Sequence, residues 1–204
     1  GGLVFDMYTN GDVVFTMGLV DTLKEVKKLW SREIAARTRK GVLLVGKRIN
    51  IDFFASDSLD SDKQVEATAK FGAEFQNDAE DYFIYSRGAR DWNKMPHFVI
   101  GRRAYDNWLV DNAFHDDGID LIDASNTILA LHLTAEDGVK AGHAKGADID
   151  HNMYTFNPAT SQPVGEHEWD HGSTDHAHFF TKHKSGRVQI IRRSSNAGFR
   201  QIPT

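Results

Sequence analysis

The sequence predicts an α/β fold: a mixed, mainly parallel sheet flanked by helices, with a β-hairpin extension at the C-terminal end. Three observations carry this expectation. Segments with strand and helix periodicity alternate through about residue 132. Val42-Leu43-Leu44-Val45 is a continuous apolar run with β-branched residues, as in a strand buried on both faces. Two apolar stretches, 177–182 and 187–192, are separated by the turn dipeptide Ser185-Gly186.

The elements follow in order. Residues 11–15 (Gly-Asp-Val-Val-Phe) form a short strand. Leu19, Leu23, Val26 and Trp30 recur at helical spacing, with Lys and Glu between them, and predict an amphipathic helix ended by Lys40-Gly41. The run 42–45 is the next strand. Ser61-Asp62 caps a second helix carrying Val65, Phe71 and Phe75. Residues 81–85 give another strand, turned by Ser86-Arg87-Gly88. A helix through Tyr105, Trp108 and Leu109 follows Gly101-Arg102-Arg103. Ile119–Ile122 and Thr127–Leu131 are two further strands. Residues 133–166 have few periodic apolar positions and predict an irregular segment. The expected organisation is an α/β core over 1–132 and a His-rich extension over 133–204, closed by the hairpin.

Composition narrows the function classes. A net charge of −5, with only short basic stretches, argues against a nucleic-acid partner. The absence of cysteine excludes disulfides, thiolate catalysis and cysteine-rich zinc sites. No apolar run approaches the length of a membrane span, and no signal peptide is visible.

Open α/β sheets bind ligands beyond the carboxyl ends of their strands, so the polar residues there are the first candidates. Asn10-Gly11-Asp12 beside a strand offers hard oxygen ligands for magnesium or manganese, although Asn-Gly also favours a plain turn. After Gly46, Lys47 and Arg48 are suited to phosphate. Asp81 and Tyr82 open an aromatic strand whose rings suit either sugars or the core. Arg102, Arg103, Asp106, Asn107 and Trp108 gather at a helix start: Asp106 as a general base, Asn107 for hydroxyls, Trp108 for stacking. The alternative for Asp106 is a carboxylate in a first helical turn. His132, after a late strand, can complete a cation site with Asp12. Five of the ten histidines fall within 167–183, and His171, His176 and His178 offer an alternative zinc or copper site, His176 and His178 sharing a strand face. A polar loop explains the same residues.

In order, Tyr8–Phe15, Leu43–Asp52, Asp81–Tyr85, Ile100–Leu109 and Ile122–Ser125 with His132 resemble the later half of GT-A-like nucleotide-diphospho-sugar transferase domains. The resemblance implies a GT-A-like fold and transfer of a sugar from a nucleotide sugar to a hydroxyl of a glycan acceptor. It implies Mn2+ or Mg2+ on Asp12 and His132, with Asp106 as base. Asn10 stands where the family has a first Asp. The strands that grip base and ribose in that family precede the acidic motif, and only nine residues precede Asn10 here. The resemblance therefore implies a companion chain supplying that half, or a remnant that binds glycans or serves a structural role without catalysis.

Overall fold

A computed structural model describes residues 2–52, 58–102, 105–134, 151–152 and 172–194. Arg103, His171 and most of the segment 133–166 lie outside the described residues.

The fold is α/β with two mixed sheets. The first has six strands in the order β1-β6-β3-β7-β9-β10: β1 is Phe5–Thr9, β3 Gly41–Val45, β6 Tyr82–Ser86, β7 Ile119–Asp123, β9 Phe179–Lys184 and β10 Arg187–Arg192. The second has four, in the order β2-β8-β4-β5: β2 is Val13–Phe15, β4 Ile49–Asp52, β5 Ala73–Glu74 and β8 Ala130–Thr134. The helices are α1 (Gly18–Ala35), α2 (Asp62–Ala69) and α3 (Tyr105–His115).

The expected mainly parallel sheet is corrected. Only β3–β7, β7–β9 and β4–β8 are parallel, and the other five ladders are antiparallel. The misleading strand is β6. All five of its residues are buried, so Tyr-Phe-Ile-Tyr-Ser has the look of a parallel strand, yet it runs against both β1 and β3.

Strand alternation sorts the core. Leu43, Val45, Phe83, Tyr85, Ile119 and Leu121 pack with Tyr105, Trp108, Leu109 and Val110 of α3. Their neighbours Val42, Leu44, Tyr82, Ile84 and Ile122 pack with Val26 and Trp30 of α1. The two helices therefore cover opposite faces of the six-stranded sheet. Trp30 Nε1 also donates to the buried Asp120 at 2.6 Å, which ties α1 to β7.

Several boundaries differ from expectation. Helix α1 ends at Ala35, because Arg37 adopts a left-handed φ of 60° that breaks the helix before Lys40. The Ser61 side chain caps α2 as expected, but α2 stops at Ala69, and Phe71 lies beyond it, 86% exposed. The last core strand is Ala130–Thr134 rather than Thr127–Leu131. Thr127 and Ile128 instead turn back on Ala124 through backbone bonds. The hairpin forms over Ser185-Gly186, both at positive φ as a tight reversal requires. Its strands join β7, so they extend the six-stranded sheet.

Candidate functional site

Strands β1, β3 and β7 run in one direction, because β6 is antiparallel to β1 and β3 while β7 is parallel to β3. Their carboxyl ends share one edge of the sheet. Asn10, Gly46–Arg48 and Asp123–Ser125 emerge there, beside Glu80 and Asp81 at the start of β6. The small sheet adds Asp12 and His132 through the pairing of Val13 with His132.

Asp12 and His132 meet, with His132 Nε2 3.2 Å from Asp12 Oδ2. The Leu133 amide donates to the Asp12 carbonyl at 2.9 Å and locks this register. Asp12 is about half exposed, whereas His132 is 6% exposed. A solvent-facing carboxylate over a buried imidazole supplies one hard and one borderline donor, a set that manganese accepts. Among the described residues, no three His, Asp or Glu side chains converge as a complete metal cage. Substrate oxygens or water are suited to fill further positions on a cation here.

Arg48 lies at the centre of the cluster and is 6% exposed. It pairs with Asp81, donates through Nε to Asn50 Oδ1 at 2.9 Å, and lies 4.4 Å over the Phe75 ring. Asn50 is the ladder partner of His132, so Arg48 is tied to the cation pair through β4. Burial pulls the Arg48 pKa down, and the facing charges of Asp12 and Asp106 push it back up. Asp81 also accepts from Asn10 Nδ2 at 2.8 Å. Arg48 and Asp81 thus form a mutual buried pair.

Asp106 opens α3 and accepts the Asn107 amide at 3.0 Å. Burial raises its pKa to about 6, against the lowering effect of that bond and of Arg48, and Asp78 adds to the rise. A carboxyl poised there is a competent general base near neutral pH.

The other expected contact residues lie in their own local settings. Trp108 is 6% exposed, with Arg90 4.4 Å over its ring and Phe98 at its edge. Tyr82 is fully buried between β3 and β1. The Asn107 amide nitrogen is committed to the Asp78 and Gly172 carbonyls at 2.8 and 3.0 Å. Arg102 Nη1 reaches its neighbour's carbonyl, Gly101 O, at 3.5 Å.

The histidine alternative is also reshaped. His176 ends a 3-10 turn, Thr174–His176, and His178 precedes β9, so they do not share a strand face. Both rings stack on Phe114, at 5.5 and 5.4 Å. His178 Nδ1 accepts the Leu121 amide at 3.0 Å, and burial lowers its pKa. These contacts hold α3 against β7.

Two acidic residues of this edge escaped sequence reasoning as site residues. Glu80 is 2% exposed, yet the run Asn77-Asp78-Ala79-Glu80-Asp81 has the composition of a solvated turn. Asp123 is buried, receives Arg193 Nη2 at 2.6 Å and caps Ser125. The only available signal for either was an acid beside an apolar strand.

A cleft of about 920 Å³ opens at the opposite edge, lined by Arg37, Arg39, Lys40, His115 and Asp116 among others. There Lys40 pairs with Asp116 and Arg39 with Asp120. It shares no residue with the cluster. The carboxyl edge, where opposed charges are buried together, is the better candidate.

No protein family, curated protein or solved structure matches this chain.

Proposed function

We propose that this chain is a GT-A-like glycosyltransferase domain that moves a sugar from a nucleotide sugar to a hydroxyl of a glycan acceptor with a divalent cation. One observation carries the reading: Asp12 and His132 meet at the sheet edge beside the buried Arg48, on which the charges of Asp12 and Asp106 both act. Asp12 and His132 would hold manganese or magnesium, which offsets the charge of the departing diphosphate. Asp106 accepts the proton of the acceptor hydroxyl. The freed oxygen attacks the anomeric carbon, and the bond to the terminal phosphate breaks with its electron pair leaving on the diphosphate. Arg48 and Asp81 brace the floor beneath.

A companion segment would grip base and ribose. Strand β1 supports this, because among the described residues it is hydrogen-bonded on one side only, to β6, and its other edge can accept strands.

A second reading, a non-catalytic glycan-binding derivative, is favoured by the incomplete metal cage among the described residues. The test is sugar-nucleotide hydrolysis or transfer across a donor panel. Turnover that requires manganese and vanishes in Asp12→Ala supports the transferase. Glycan binding without such turnover supports the derivative.

A further inference from the structure

The buried carboxyl of Glu80 has no part in the mechanism above. It is 2% exposed, and neither oxygen has a hydrogen-bond partner on another residue. The charges that act on it come from three directions in the fold. These are Asp106 from α3, Asp123 from β7 and Asp78 from the preceding loop, with the neutral hydroxyls of Tyr105 on α3 and Tyr82 on β6 also within reach of its charge. Two cations of this edge are committed elsewhere, Arg48 to Asp81 and Arg193 to Asp123. An ionised carboxylate withdrawn from water among other acids, favoured only by its own backbone amide, is poorly tolerated in a protein interior. The neutral acid removes that conflict.

We propose that Glu80, two residues beyond the Asp78 carbonyl that holds the Asn107 side chain, is a neutral carboxylic acid, a positioning residue that adds no further negative charge beside Asp106, the base. This rests on the reading of Asp106 as base. Burial and the charge of Asp106 act in the same direction, raising the Glu80 pKa well above 4.5. During transfer Glu80 keeps its proton, and the acceptor's proton goes to Asp106. If Glu80 ionised, Asp106 would face an added like charge and would hold its proton to higher pH, losing its basic form near neutrality.

Glu80→Gln keeps shape and neutrality, so it separates the proposal from a role as a charged or purely structural group. Three readouts need no turnover. At neutral pH the wild-type infrared spectrum contains a protonated-carboxyl band that Glu80→Gln lacks. The Asp106 titration, followed by carboxyl carbon NMR, stays at about 6 in Glu80→Gln. Wild-type stability falls as pH rises above the unfolded value of 4.5, and Glu80→Gln loses that part of the slope. A wild-type spectrum without the band overturns the proposal, as does an Asp106 pKa that drops in Glu80→Gln. Equal loss of stability at every pH overturns it too. Absent transfer activity with the band present would sink the transferase reading alone.

Discussion

His132 Nε2 stands 3.2 Å from Asp12 Oδ2, held there by the ladder that pairs Val13 with His132. Because Asp12 is half exposed, the contact itself contributes little to stability. Asp12→Ala is expected to cost less than about 1 kcal/mol in urea unfolding. Its effect should fall instead on the gain in Tm that manganese gives the wild type, which should disappear.

The buried pair beneath behaves in the opposite way. Arg48→Met or Asp81→Asn leaves its partner uncompensated in the interior, and each should destabilise by about 3–5 kcal/mol. The double variant should recover part of that loss. Urea unfolding of the four proteins closes the cycle, and simple additivity of the two losses would contradict the coupling.

Asp106 sets the pH dependence. Its folded pKa is raised to about 6 from 3.8, so its basic form grows as pH climbs through 6. The transfer rate should rise across that window and lose the dependence in Asp106→Asn. The stability effect has the reverse sense. The raised pKa favours folding below 3.8 and is lost as pH rises through about 6. Asp106→Asn should therefore unfold with a flatter pH profile.

Trp108 tests core against ligand. With Arg90 over its ring and Phe98 at its edge, Trp108→Ala should cost about 3–5 kcal/mol by thermal or urea unfolding. Glycan affinity of the protein that remains folded should not change. Gly46→Ala should destabilise for a related reason, because a Cβ there runs into the Tyr82 hydroxyl.

Much of this was legible in the sequence because its cause is local. The spacing of Leu19, Leu23, Val26 and Trp30 is a helical stripe wherever it occurs, and α1 forms there. Ser61 caps α2, and Ser185-Gly186 turns the hairpin. Strand direction was not legible, because burial on both faces gives β6 the same apolar run in either orientation. Asp12 and His132 meet as expected, but His132 lies mid-strand in β8, opposite Val13, and not just beyond a strand as the sequence suggests. Partner choice was hidden. Nothing near Arg48 in sequence announces Asp81, and Trp108 looks alike as a sugar platform or a core residue. Glu80 was hidden because an acid in an acidic turn reads as solvated until the fold buries it.

The most direct measurement is manganese binding followed by electron paramagnetic resonance, with a nucleoside diphosphate present, for the wild type, Asp12→Ala and His132→Ala. The account predicts a bound-manganese signal in the wild type that both variants lose while remaining folded. Manganese bound equally by all three proteins, or by none, would contradict it.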